Sequence, residues 1–280
     1  MPYAIRRLVS TDDFTRVFDL ERRVWSLPNG DDAVPVNVFA ATVECGAILL
    51  GAFDDDGDLA GFVYSFPGVR HGRTIQWSHM LGVDEAHRGL GLGRALKLAQ
   101  RREALARGVS RIEWTFDPLQ AGNAHLNLGV LGAVAGEYLE DVYGASESPL
   151  HAGAATDRLV AAWDLESDEV RRLSGEPGAG TASGPPAAGL ADAAPVNRVR
   201  REGNWVLCDG EPDLSHGAPT LAVLVPPAFT GMLREAPDLA RTWRELTRRV
   251  FRAYLGRGYV ATGFARAEDG GRYVLTAGRG

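Results

Sequence analysis

Apolar and polar residues alternate along the stretch 75–83, where Ile75, Trp77, His79, Leu81 and Val83 interleave with Gln76, Ser78, Met80 and Gly82. That period predicts a strand whose two faces meet different surroundings. The period then changes. Ala95, Leu98, Ala99, Leu105 and Ala106 recur at helical spacing, arginines crowd the last turns, and Gly108 stands where a helix stops. Between the two lies Arg88-Gly89-Leu90-Gly91-Leu92-Gly93-Arg94, so the segment reads as strand, glycine turn and helix.

The same patterning organises the rest of the first 165 residues. It predicts a strand over 3–9 and a helix carrying Phe14, Val17, Phe18, Leu20, Glu21 and Trp25, with cap chemistry at residues 10–13. A loop over 26–35 leads to a short helix over 36–44. Strand patterns at 46–53 and 59–66 are joined by Asp54-Asp55-Asp56-Gly57-Asp58, an Asp-Gly hairpin turn. After Gly108 come a strand at 111–116, a helical stretch at 122–134 and strands at 137–143 and 157–165. The strand at 75–83 and that at 111–116 form a parallel pair with a crossover helix, which puts the glycine turn at the carboxyl end of a strand.

The periodicity disappears over 174–195, where glycine, proline and alanine dominate. It returns as strands at 205–208 and 220–225, a helix with Leu239, Trp243, Leu246, Val250 and Tyr254 on one face, and strands at 259–265 and 272–276. The expected organisation is a first domain over 1–167, a linker over 168–195 and a smaller α/β unit over 196–280. Arg241, Arg244, Arg248 and Arg252 line one side of the last helix, which reads as a solvated face.

Composition narrows the function classes. A net charge of −6 gives no general attraction to a polyanion, which argues against a nucleic-acid partner. No apolar run approaches the ~20 residues needed to span a bilayer, and the first residues lack the apolar core of a signal peptide. Cys45 and Cys208 are too few and too far apart for a disulfide framework or a zinc site, and read as reduced core thiols. A soluble cytoplasmic protein, monomer or homodimer, with no membrane or nucleic-acid partner is expected. The acidic turn has Gly57 before Asp58, the wrong order for a calcium loop, so no metal is expected.

The glycine turn carries the chemistry. Glycines at 89, 91 and 93 let backbone approach a ligand closely, and the first amides of the next helix favour an anion such as a pyrophosphate. The dinucleotide fingerprint needs glycine where Arg94 stands, and the Walker pattern needs Ser or Thr after Lys97; both are absent. Arg88-x-x-Gly91-x-Gly93, preceded by Leu81-x-Val83, resembles the acetyl-CoA loop and central strand of the GCN5-related N-acetyltransferase (GNAT) superfamily. The block DPLQAGNAHLNLGVLGA with TDRLVAAWDL looks like a long-form branch with an extra C-terminal segment.

The resemblance implies an α/β (α+β) fold with a mixed, centrally splayed sheet flanked by helices. The C-terminal β-α-β-β order, with Tyr254-Leu255-Gly256-Arg257-Gly258-Tyr259, resembles a degenerate half of that fold. The resemblance also implies acetyl-CoA or another acyl-CoA as cosubstrate, held by Leu81, Gly82, Val83, Arg88, Gly89, Leu90, Gly91, Leu92, Gly93 and Arg94. Asn123 is its candidate for the asparagine at the CoA arm. The region after the first helix would form one wall of the acceptor cleft. Leu128 falls where the superfamily often has the tyrosine that protonates the departing thiolate.

Acyl transfer from a thioester needs a neutral amine, alignment, oxyanion stabilisation and a proton for the thiolate. It demands no nucleophilic side chain. His79 is the candidate base, at a position where an arylalkylamine-acetylating branch carries a relay histidine; with an ordinary pKa of ~6.5 it suits that exchange. Glu113 is the alternate base, or an exposed strand carboxylate. Tyr138, Tyr143 and Tyr254 are the candidate acids, and Arg158 a candidate clamp for an acceptor carboxylate. The expected activity is N-acylation of a small primary amine, an amino acid among the options. The competing reading is an acyl-CoA-binding or regulatory protein with reduced catalysis.

Overall fold

The computed structural model describes residues 3–27, 33–144, 155–176, 193–267 and 270–278. The chain forms two compact units, one of Met1–Trp114 with Asp164–Glu166 and one of Thr115–Trp163 with Ser167–Gly280.

The first unit begins with β1 (Ala4–Arg7) and α1 (Thr11–Trp25). Ser10 and Asp13 form a capping box: the Ser10 hydroxyl takes the Asp13 amide at 3.1 Å, and Asp13 takes the amides of Ser10 and Val9 at 3.2 and 3.1 Å. Such caps contribute about 1 kcal/mol. The buried face of α1, with Phe14, Val17 and Leu20, joins a core of Phe39, Leu49, Phe53, Phe62 and Tyr64. Phe39 comes from α2 (Val36–Glu44), and the others from β2 (Ile48–Phe53) and β3 (Leu59–Arg70). The predicted hairpin turn is present: Asp54 accepts from the amides of Asp56 and Asp58 at 3.1 and 2.8 Å, and Gly57 has φ 84°.

The unit is completed by β4 (Arg73–Val83), α3 (Leu92–Ala106) and β5 (Arg111–Phe116), whose last two residues belong to the second unit. The strand order is β1-β2-β3-β4-β5, antiparallel except for the parallel pair β4 and β5. That parallel ladder pairs Gln76 with Ile112 and Trp77 with Glu113. Residues 78–83 of β4 run on paired with β3, so among the described residues the sheet is splayed along this edge.

The second unit holds α4 (Ala121–Ala124), a π turn (His125–Val130), β6 (Val134–Leu139), β7 (Arg158–Asp164, whose last residue belongs to the first unit) and α5 (Asp168–Leu173). It continues with β8 (Ala194–Pro195), the hairpin β9 (Val199–Glu202) and β10 (Trp205–Cys208), and β11 (Thr220–Val225). Then come α6 (Phe229–Glu235), α7 (Pro237–Gly256), β12 (Tyr259–Ala267) and β13 (Gly270–Ala277). The strands lie in the order β7-β6-β12-β13-β11-β8. Trp243, Val250, Phe251 and Tyr254 of α7 are fully buried, as expected for an amphipathic helix against a sheet.

Several expectations change. The compositional break at 174–195 is not the boundary between compact units, because β6 pairs with β12 through Ala135 and Ala261 and residues 115–163 fold with the C-terminal segment. Residues 168–173, assigned to the linker, form α5, capped by the Ser167 hydroxyl on the Val170 amide at 3.4 Å. The strand expected at 137–143 lies at Val134–Leu139. Residues 28–32 of the first loop and 177–192 of the linker lie outside the described residues. The arginines of α7 form a solvated face only in part: Arg241 and Arg252 are exposed, and Arg244 and Arg248 are not. Arg244 grips Asp117 with two bonds, at 2.8 and 2.6 Å, and Arg248 grips Asp157 at 2.8 and 2.7 Å. Arg252 pairs with Glu140 at 2.9 Å, while Arg241 stays exposed on Asp238.

Candidate active site

The glycine turn leaves β4 at Val83. Asp84 caps a short 3-10 turn, Glu85–His87, by accepting the Ala86 amide at 3.2 Å, and Arg88 donates its Nε to the Val83 carbonyl at 3.2 Å. Gly89 and Gly91 have φ of 78° and 81°, and no atom lies within 4 Å of where a Cβ would stand on either. Backbone conformation rather than crowding therefore selects glycine here. Gly91 caps α3 without a side chain, and the first helical bond runs from the Ala95 amide to its carbonyl at 3.1 Å. The amides of Leu92, Gly93 and Arg94 thus precede the helical ladder, at the positive end of a 15-residue helix. Arg88, Gly89, Leu90 and Gly91 are exposed, whereas Leu92 is buried and anchors the helix.

On β4, Leu81 and Val83 are half-buried and Gly82 is buried. Gly82 has a packing reason of its own: a Cβ there would meet Phe62 at 2.7 Å and Trp25 at 3.2 Å.

His79 occupies a β-bulge. Tyr64 pairs with Met80 and Ser65 with Ser78, which leaves His79 as the extra residue of β4. A bulge of this kind re-aims a side chain. The imidazole lies beside Tyr64 and Phe66, with ring centroids 6.1 and 5.9 Å away, and Met80 packs on the same core. Ser78 instead bonds with Gln100 of α3. His79 is exposed, yet desolvation by its aromatic neighbours lowers its pKa from 6.5. It is therefore neutral at neutral pH, the form a base requires.

Beneath β4 lies a buried polar cluster. The Lys97 ammonium donates to Gln100 Oε1 at 2.8 Å and Ser78 Oγ at 3.1 Å, and sits 3.7 Å from the centroid of the Trp114 ring. Burial pushes its pKa well below 10.5. Glu21, on the core side of α1, is 2% exposed. One of its oxygens accepts the Val34 amide at 3.1 Å, and the other is buried without a hydrogen-bond partner. Burial raises this carboxyl to about 7. Neither group was singled out from sequence, although a charge on the apolar stripe of α1 was the signal for Glu21.

Other candidates are corrected by their surroundings. Glu113 is 3% exposed, not an exposed strand carboxylate. Burial raises its pKa, but Arg70 at 2.7 Å and Arg111 at 2.6 Å more than offset that, and the net shift is downward. A carboxylate held by two guanidiniums is a poor base. Tyr138 donates its hydroxyl to Asp157 at 2.6 Å; burial, then that carboxylate, raises its pKa, so it is a weaker acid than free tyrosine. Tyr254 is buried and donates to the Asp213 carbonyl at 2.7 Å. Tyr143 is exposed, 3.3 Å from the Thr115 hydroxyl. Arg158 is buried beside Asp117 at 3.9 Å and donates to the Asp157 carbonyl, which removes it as an acceptor clamp. Leu128 is fully buried in the π turn, a core position, while Asn123 is exposed on α4. Cys45 is exposed rather than a core thiol.

Among the described residues, no group of three or more His, Cys, Asp or Glu side chains is placed to hold a metal, and no helix is long and apolar enough to cross a membrane. A splayed mixed sheet, with a glycine turn leading from its central strand into a glycine-capped helix, defines an α/β protein.

Residues 14–127 match the model of the acetyltransferase (GNAT) family, and this part of the chain belongs to that superfamily. None of the curated proteins matches the chain in sequence. Similar solved structures include the ribosomal-protein-S18-alanine N-acetyltransferase of Escherichia coli, 20% identical, covering 59% of this chain and 95% of that one, with a TM-score of 0.47. An acetyltransferase of the GNAT family from Streptococcus pneumoniae is 21% identical, with coverages of 57% and 98% and a TM-score of 0.47. The yncA protein of Salmonella typhimurium with its cofactor acetyl-CoA is 20% identical, with coverages of 60% and 96% and a TM-score of 0.48.

Proposed function

We propose that the protein is an acyl-CoA-dependent N-acyltransferase, with acetyl-CoA as the default donor and the primary amine of a small molecule as acceptor. The observation that carries this reading is the start of α3, where left-handed Gly89 and Gly91 present the amides of Leu92, Gly93 and Arg94 at a helix N-terminus. A pyrophosphate there accepts backbone N–H bonds and meets the helix dipole. Leu81, Gly82 and Val83 on the splayed edge of β4 offer backbone groups to the pantetheine arm. Arg88, already bonded to the Val83 carbonyl, stiffens the turn from strand to loop.

In the reaction the amine nitrogen attacks the thioester carbonyl carbon, a C–N bond forms, the C–S bond breaks, and CoA leaves as thiolate. His79 acts as base, taking the amine proton directly or through a water. Its lowered pKa keeps it unprotonated at neutral pH. Glu113 is not proposed as base. The thiolate takes its proton from solvent, since Tyr138 and Tyr254 spend their hydroxyls on Asp157 and Asp213.

A second reading, an acyl-CoA-binding protein with reduced catalysis, draws on the burial of Leu128 where the superfamily often places an acid. Calorimetry with CoA and a thiol-release assay over a panel of small amines separate the two. Acceptor-dependent thiol release, lost together with CoA uptake in Gly91→Val, supports the acyltransferase. CoA uptake without turnover on any amine favours the binder, and no uptake refutes both.

A further inference from the structure

Toward the glycine turn, the parallel ladder of β4 and β5 ends at the pair Trp77 and Glu113. The next residues on the two strands are Ser78 and Trp114, and one side chain of the same compact unit touches both. Lys97 of α3 donates to Ser78 Oγ at 3.1 Å and lies 3.7 Å from the centroid of the Trp114 ring. It therefore bridges the strands at the point where their pairing stops. Gln100, three residues further along α3, completes the cluster: it accepts from Lys97 at 2.8 Å and donates to Ser78 at 3.1 Å. Lys97, Gln100 and Ser78 are all buried.

Ser78 is also where the pairing of β4 with β3 goes out of step. It faces Ser65, Met80 faces Tyr64, and His79 between them has no opposite number. In an uninterrupted ladder the cross-strand bonds fix where each side chain points. A bulged residue lacks that guide, and its direction follows from what holds its neighbours. Ser78 is drawn toward α3, while His79 lies beside the Tyr64 and Phe66 rings, where Tyr64 meets Phe39 of α2 edge to face.

Packing alone does not account for a lysine here. A methionine fills a similar volume without the cost of stripping water from an amine, a cost that shows in a pKa pushed well below 10.5. What the amine adds is a bond of fixed direction from α3 to β4. The helix matters, because its first turn carries the amides of Leu92, Gly93 and Arg94. Lys97 follows Leu92 by about 8 Å along the axis. The start of α3 and the anchor of the bulge thus sit on one rigid element.

We propose that Lys97 is a positioning residue: held between Ser78 and Trp114, it fixes the bulge of β4 and so aims the His79 imidazole for its work as base. The inference rests on the acyltransferase reading, which assigns His79 as base and the start of α3 as the seat of the donor pyrophosphate. Base and donor are then referenced to the same helix.

The experiment uses the whole chain with Lys97→Met, Ser78→Ala and His79→Gln, and with Lys97→Met and His79→Gln combined. It measures Tm, CoA affinity by calorimetry, and kcat and KM with acetyl-CoA and the small amine turned over fastest. It also follows the His79 titration midpoint by NMR, the signal being assigned by its loss in His79→Gln. Lys97→Met is expected to lower kcat about 10- to 100-fold, the scale of a displacement near 1 Å, with the CoA Kd within about twofold. The His79 midpoint rises toward 6.5 as the ring leaves its aromatic neighbours. Ser78→Ala cuts the same link from the strand, shifts kcat and midpoint in the same directions, and decides the matter if Lys97→Met does not fold. Because Lys97 acts through His79, adding Lys97→Met to His79→Gln lowers kcat by less than about twofold more. Wild-type kcat and His79 midpoint in the folded variants, whatever their Tm, overturn the proposal, and so does an undiminished loss in the His79→Gln background. Wild-type protein that turns over no amine refutes the acyltransferase reading, and the His79 midpoints then still decide separately whether Lys97 fixes the bulge.

Discussion

Glu21→Gln tests how a bare buried oxygen is tolerated in the first unit. In the native state one carboxyl oxygen takes the Val34 amide and the other has no partner, and burial holds the group at about 7 against an ordinary 4.5. Between those two values the folded protein retains a proton that the unfolded chain has released. Native Glu21 thus binds more protons than unfolded Glu21, so stability falls as pH rises through this window and the penalty persists above it. The full separation is equivalent to about 3 kcal/mol, and the part falling between pH 5 and pH 8.5 to roughly 2.5 kcal/mol. Glutamine keeps an oxygen for Val34 and places an unpaired NH2 on the bare side, which costs about 1–3 kcal/mol at every pH. The variant can be less stable than wild type at pH 5, but the difference should move in its favour by roughly 2–3 kcal/mol by pH 8.5. Urea unfolding of both proteins at several pH values and fixed ionic strength reads this directly, provided the m-values agree. Parallel pH dependence in the two proteins would refute the reasoning.

His79→Gln should lower kcat/KM by about 10²- to 10⁴-fold. The wild-type profile should rise with pH to a plateau with its midpoint below 6.5, because desolvation lowers the imidazole pKa; survival of that limb in the variant removes His79 as base. Gly82→Ala drives a methyl toward Phe62 and Trp25 and should destabilise by about 1–3 kcal/mol in chemical unfolding, with no change expected if the rings can move apart freely. Exposed Cys45 should react with a thiol reagent in the native protein, while half-buried Cys208, its thiol pushed up to about 12 by burial, should react more slowly until the protein unfolds. Equal native rates would refute this expectation.

Local chemistry was legible wherever it is local. The strand at 111–116, the Ser10 cap, the Asp-Gly turn and the strand, glycine turn and helix over 75–106 arise from residues within a few positions of one another. The bulge at His79 is invisible to a period-two reading, which shows that residues alternate but not where one is added. Glu113 looked exposed because its neutralising partner Arg70 lies 43 positions away, on another strand. The arginines of α7 misled for the same reason: charges at helical spacing resemble a wet face until Asp117 and Asp157 are brought to them. Loss of periodicity over 174–195 marked an interruption in regular structure, whereas the division between compact units is set by the pairing of β6 with β12, which composition does not encode.

Lys97 is the only lysine in the sequence, and it is spent inside the protein against Ser78, Gln100 and the Trp114 ring. On the proposed acyltransferase reading, activated thioesters would modify exposed ε-amines, and here the surface offers none. The practical counterpart is that amine-directed crosslinkers and resins will find no side-chain foothold on this molecule, whereas exposed Cys45 and the surface carboxylates offer one.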